Sequence, residues 1–112
     1  MLPSVVELQE YVDELGSAPF ADWFDGLDVA AAARVRVSLS RLARGAHSNV
    51  KSVGAGVFEY RIDSGPGYRI YFARHGLRLI LLLGGGTKRR QDEDILSAKR
   101  RWTAYRLKTK ED

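Results

Sequence analysis

The sequence predicts an α+β fold in which an N-terminal strand, two helices, three strands and a closing helix follow one another. Three observations carry that prediction. Apolar residues repeat at helical spacing over 28–44 and again over 91–107, they alternate with polar residues from 58 to 72, and a near-continuous apolar run occupies Leu77 to Leu83. At 112 residues the chain is long enough for one compact domain, taken as 1–112, and too short for two ordinary ones.

Val5, Val6, Leu8, Tyr11 and Val12 sit among acids and mark the N-terminal strand over 5–12. Pro19 opens a short helix, Pro19 to Phe24, closed by Gly26, with proline in the first turn and glycine just past the end. Asp28 is the expected N-cap of the second helix, which runs to about Arg44 and stops at Gly45. In it Ala32, Val35, Leu39 and Leu42 form one apolar stripe, Arg34, Arg41 and Arg44 project the opposite way, and Val37 falls off the stripe. After the glycine-rich stretch Val53 to Val57 the period becomes two, with Phe58, Tyr60 and Ile62 opposing Glu59, Arg61 and Asp63. Ser64-Gly65-Pro66-Gly67 is a turn, and Tyr68, Ile70 and Phe72 then oppose Arg69 and Tyr71 on a second strand. Arg74-His75-Gly76 turns into Leu77 to Leu83, a strand covered on both faces, so the three strands form an antiparallel meander. Gly84-Gly85-Gly86 is expected to end it. From Gln91 to Leu107 the stripe Ile95, Ala98, Trp102, Tyr105 marks the last helix, acidic in its first turn and basic further on as the helix dipole favours.

Hydrophobic residues make up 45% of the chain and charged residues 29%, the balance of a soluble globular protein. With no cysteine, a disulfide framework, a cysteine nucleophile and a thiolate metal site are all excluded. No apolar run approaches the roughly 20 residues of a membrane helix, and the N-terminus has neither a basic start nor an apolar signal core, so a cytoplasmic protein is expected. Net charge is only +4, yet residues 1–28 hold seven acids and no lysine or arginine, while the remainder carries all 18 bases against seven acids. Such asymmetry raises the expectation of a polyanionic partner.

Regular pleating places Arg61, Arg69 and Tyr71 on one sheet face, with Lys51 before the first meander strand and Lys88, Arg89, Arg90 and Gln91 beyond the third. Guanidinium forks take phosphate oxygens in pairs and an aromatic ring stacks on a base, which suits a nucleic-acid backbone. The same residues also admit a plainer arrangement: Glu59, Arg61 and Arg69 as a cross-strand ion-pair ladder, with Tyr71 packed under the last helix. Gly84 to Lys88 imitates a phosphate loop but has Gly-Gly-Gly-Thr-Lys where that motif needs Gly-Lys-Ser/Thr. Its amides near Gly86 either help hold one phosphate or merely permit a tight bend. His47 and His75 lie in different loops, and Asp92 and Asp94 are acids of a helix start, so no metal site is indicated. His75 reads as a turn residue, and Trp23, Trp102 and Tyr105 as core.

The segment from Lys51 through Arg61 and Gly65-Pro66-Gly67-Tyr68-Arg69 to Phe72, followed by Leu81-Leu82-Leu83-Gly84-Gly85-Gly86-Thr87-Lys88-Arg89-Arg90-Gln91-Asp92-Glu93-Asp94-Ile95, strongly resembles the addiction-module killer proteins. These form a HigB-like branch of the RelE/ParE toxin superfamily. Pro19 to Leu27 and the helix ending Arg41-Leu42-Ala43-Arg44-Gly45 fit as well. The resemblance implies a type II toxin with a RelE-like fold, a two-helix hairpin packed on a curved sheet that the meander completes. It further implies a helix-turn-helix antitoxin as partner and no cofactor. RelE-like and HigB-like members cut messenger RNA on the ribosome, whereas ParE-like members use the fold to poison DNA gyrase; a non-toxic basic nucleic-acid-binding module is a third possibility.

For metal-independent cleavage the ribose 2′-OH must lose a proton, the phosphorane oxygens need a cation and the leaving 5′ oxygen must be neutralised. By the match, Arg69 stabilises the phosphate with Lys88 or Arg89 assisting, Lys51, Arg61 and Gln91 position RNA, and Tyr71 stacks or transfers a proton. A tyrosine pKa near 10 suits proton transfer only if neighbouring cations lower it. RelE has lysines where this chain has Val57 and Glu59, and the HigB histidines have no matched equivalent. Glu59 is either a carboxylate base or the structural partner of Arg69.

Overall fold

The computed structural model describes residues 6–46 and 48–111. In chain order they form β1 (Glu7–Glu10), α1 (Pro19–Asp25), α2 (Val29–Ala43), β2 (Val50–Gly54), β3 (Val57–Ile62), β4 (Tyr68–His75), β5 (Leu79–Thr87), a 3₁₀ turn (Lys88–Arg90) and α3 (Gln91–Glu111). The fold is α+β, as expected. Val5 of the expected first strand and His47 lie outside the described residues.

One five-stranded mixed sheet runs in the order β1-β5-β4-β3-β2. The sheet differs from the sequence expectation in two places. The meander has four antiparallel strands, because Val50 to Gly54 pairs with β3 and places Lys51 on a strand opposite Glu59. The connection is a two-residue hairpin in which Ala55 (φ 57°) and Gly56 (φ 82°) both take left-handed backbone, the conformation that matches strand twist. Val-Gly-Ala-Gly-Val lacks the Asn-Gly signature of that turn, so the alternation is legible only after this stretch.

The second correction concerns Gly84-Gly85-Gly86, which do not end β5 but continue it to Thr87. Tyr71 pairs with Gly84 and Phe72 with Leu82, so Leu83 is the extra residue of a bulge. A Cβ at Gly85 would enter the Trp23 ring and one at Gly86 the Asp94 carboxylate, so the glycines make room for side chains closing over both faces. β1 pairs in parallel with β5, Leu8 lying opposite Ile80, which the sequence had left open.

The pleat sorts the core into two layers. On one face Tyr60, Ile70, Phe72, Ile80 and Leu82 meet Phe20 of α1 and Val35 and Leu42 of α2. On the other, Val57, Tyr71, Ala73, Leu81 and Leu83 meet Ala98 and Trp102 of α3, with Ile95 and Tyr105 alongside. Both helical stripes therefore pack where their spacing pointed, and β5 is covered on both sides. Asp28 caps α2 by accepting from the Ala31 amide at 2.8 Å, and off-stripe Val37 is exposed.

Candidate nucleic-acid interface

Where α3 begins, the sheet face beneath it stops being apolar. Glu59 and Arg69, only 2% and 4% exposed, sit there with Tyr71 at 0%. The Arg69 Nε lies 3.6 Å from Glu59 Oε2, and Gln91 Nε2 donates to the same oxygen at 2.8 Å. Arg69 Nη1 donates to the Gly67 carbonyl at 3.0 Å, and that carbonyl also accepts from the Lys88 amide at 2.9 Å. Arg69 thus ties the turn after β3 to the chain just beyond β5. Gly67, at φ 75°, suits the join: a Cβ there would come within 3.2 Å of Arg69 Nη1.

The electrostatics follow from burial. Among the described residues the Tyr71 hydroxyl has no partner at hydrogen-bond geometry, and desolvation, reinforced by the Glu59 and Asp94 carboxylates, pushes its pKa well above the usual phenol value. Arg69 opposes that shift and is outweighed. Asp94, half-buried over Gly86, is also raised, chiefly by desolvation and against the attraction of Arg90 and Arg101. Arg101 is lowered by its own desolvation and donates to the Leu83 carbonyl at 2.9 Å.

Around this buried cluster the cations are exposed. Arg61 pairs across the strands with Arg69, Lys51 with Glu59, and Lys88, Arg89 and Arg90 follow β5 directly. Arg90 bonds Glu93 at 2.9 Å on the surface, while Lys51, Arg61, Lys88 and Arg89 have no ion pair among the described residues.

Arg61, Arg69 and Tyr71 therefore share a face as the pleat predicted, but at different depths. Arg61 faces water, whereas Arg69 and Tyr71 lie under α3, close to the plainer arrangement of a Glu59–Arg69 pair and a packed tyrosine. Buried in this way Tyr71 offers no ring for a base to stack on, and its raised pKa is opposite to what a base would need. Glu59 is a partner of Arg69 here. Asp94 and Arg101 were missed, since nothing in the sequence signals that an acid of a helix start closes over a strand glycine. His75, expected in a turn, ends β4 and has its Nδ1 3.0 Å from the Tyr105 hydroxyl. Among the described residues no three acidic or histidine side chains converge as a metal site would require.

The exposed cations can take an anion's charge, while the buried, neutral Glu59–Arg69 pair holds the backbone at Gly67 and Lys88 from below. Residues 22–103, which include the whole cluster, match the family model of phage derived proteins that are Gp49-like (DUF891), and the chain belongs to that family. An uncharacterized protein of Haemophilus influenzae (strain KW20 / Rd) is 42% identical over 81 residues, which cover 71% of this chain and 82% of the relative.

Proposed function

We propose that the chain is the toxin of a type II toxin–antitoxin pair, a ribosome-dependent endoribonuclease that cuts messenger RNA and stops translation. Its family is associated with toxin–antitoxin modules. The observation that carries the RNA-directed part is the set of exposed, unpaired cations Lys51, Arg61, Lys88 and Arg89 around the Glu59–Arg69 cluster. In this proposal Lys88 meets the non-bridging oxygens of the scissile phosphate, where negative charge grows as the 2′ oxygen bonds to phosphorus and the bond to the 5′ oxygen breaks; the 2′-OH proton passes to solvent water and the 5′ oxygen takes one from it, leaving a 2′,3′-cyclic phosphate and a 5′-OH. Lys51, Arg61 and Arg89 hold flanking phosphates. Arg69 acts as a positioning residue through the Gly67 carbonyl it shares with the Lys88 amide, and Glu59 holds both Arg69 and Gln91. A helix-turn-helix antitoxin covers the basic rim and restores growth.

One observation favours a second reading, a non-catalytic inhibitor of DNA gyrase. Glu59 and Tyr71, the proton carriers the sequence offered, are both sealed from solvent. Expression of the chain alone, without an antitoxin, decides between them. Growth arrest with cut transcripts, mapped by primer extension, is the expected outcome; arrest with intact transcripts, DNA damage response and filamentation would replace cleavage by gyrase inhibition.

A further inference from the structure

At the other end of α3, away from the Glu59–Arg69 cluster, an open groove of about 480 Å³ lies between the end of β4 and the last turns of the helix. Arg74, His75, Trp102, Arg106, Thr109 and Lys110 line it. Its volume is within the range of small-ligand sites, roughly 300–1,000 Å³. Trp102, Arg106 and Lys110 recur every fourth residue, so one helix face supplies both a ring and two cations.

Three features of the groove point to one ligand chemistry. First, its lining holds arginines, a lysine and a histidine and no acid, and Arg106 and Lys110 have no ion pair among the described residues. Second, two of its lining side chains belong to an aromatic cluster: His75 stands edge-on to Trp102 and to Tyr105, and Trp102 stacks on Tyr105, which is outside the lining, with centroids 5.8 Å apart. Third, the His75 Nδ1 to Tyr105 hydroxyl hydrogen bond fixes the imidazole and leaves Nε2 without a partner among the described residues. The Arg106 guanidinium rests 5.8 Å from the Trp102 ring centre, within reach of an anion above the ring. Arg74 is occupied elsewhere, its guanidinium 4.6 Å from the Phe58 ring centre.

Cations without ion pairs beside an exposed imidazole held edge-on to a buried indole match a phosphodiester with a base attached. We propose that this groove is a second binding subsite for single-stranded RNA, with Arg106 and Lys110 on a phosphate and the exposed His75 ring against a base. His75 is six positions along β4 from Arg69, ~20 Å at strand rise, so a single strand of several nucleotides can reach both ends of α3. The proposal deepens the RNA-directed reading above and rests on it.

The experiment is fluorescence anisotropy of a labelled 12-nucleotide oligouridine with the full chain, titrated over a range of salt. Replacing both cations, Arg106→Ala with Lys110→Ala, is expected to flatten the slope of log affinity against log salt by about 1.4, and to weaken binding on the order of 20-fold at 0.1 M salt. His75→Ala is expected to weaken binding at every salt concentration without changing the slope. A double variant that unfolds at the wild-type temperature and binds with wild-type affinity and slope would overturn the proposal, as would a wild-type chain that binds no RNA. Displacement by uridine monophosphate as effective as by unlabelled oligouridine would assign the groove to a free nucleotide. Displacement by polyglutamate at equal charge, lost in the double variant, would assign it to an acidic peptide. Each of those two results overturns the RNA subsite. The two proposals fail separately: a chain that cuts transcripts but whose double variant binds normally loses only this one, and a chain whose double variant binds weakly but whose transcripts stay intact loses only cleavage.

Discussion

Glu59 and Arg69 have side chains 2% and 5% exposed, so each is the other's substitute for water. Breaking such a pair leaves a bare buried charge and costs about 3–5 kcal/mol, although the intact pair adds little net stability. Glu59→Ala and Arg69→Ala are each expected to lose that much in urea unfolding, and the double change less than their sum; additive losses would show that the pair does not act as a unit. In the proposed toxin, loss of growth arrest in Arg69→Ala therefore reports on folding as much as on the positioning of Lys88. Tyr71 is different, since its buried hydroxyl has no partner at hydrogen-bond geometry among the described residues. Tyr71→Phe is expected to be neutral or stabilising by up to about 1 kcal/mol and to leave toxicity intact. With the phenol pKa raised in the folded state, the stability it contributes is full below about pH 10 and lost as pH rises above that. The Phe variant should lack this alkaline loss in urea midpoints. Asp94 carries the same sign at low pH. Its raised carboxyl binds a proton better when folded, so the stabilisation is full below about pH 4 and is lost as pH rises through the folded value. Asp94→Asn, which never ionises, is expected to show a flatter profile across that window than the wild type.

At the scale of elements, β5 is decided by what closes over it. A run of three glycines has low strand propensity, yet they extend the strand because Trp23 from α1 and Asp94 from α3 occupy the places where side chains would be. Gly85→Ala is expected to destabilise by about 1–3 kcal/mol, read as a lowered thermal midpoint, since the Trp23 ring must move. A variant as stable as the wild type would mean that Trp23 is loosely held. The bulge at Leu83 does related work: it turns both Leu83 and Gly84 toward α3, so that Leu83 packs while Arg101 reaches the Leu83 carbonyl at 2.9 Å across the open glycine. Helices were easier to read than this. Their stripes depend only on their own spacing, and Asp28 and Pro19 announce themselves at their starts.

Over the whole molecule the two edges of the sheet differ in the charges their strands expose. β1, with Glu7 and Glu10 exposed, forms one edge of the sheet, and β2, with Lys51 exposed, forms the other. Acids on an exposed edge also discourage strand addition from another chain. Lys88→Ala combined with Arg61→Ala is expected to relieve growth arrest while leaving the thermal midpoint within about 2 °C, because both side chains face water and exposed substitutions change stability little. Undiminished arrest in the double variant would remove the rim from the toxic surface.

The sequence by itself determined the class of fold, the two helical stripes, the alternation that sorts the core into two faces, and the set of cations available to meet a polyanion. Each of these is a local pattern, fixed by residue type and spacing of 2 or 3.6 along a chain. Only the tertiary structure decided how deep each site residue lies. Arg61 and Arg69 are indistinguishable in the strand pattern and opposite one another in register, yet one faces water and the other is covered, because α3 crosses the sheet over Arg69 and not over Arg61. Desolvation, and with it the raised phenol of Tyr71 and carboxyl of Asp94, comes from that crossing, which joins residues 59, 69, 71 and 94 that no spacing rule connects.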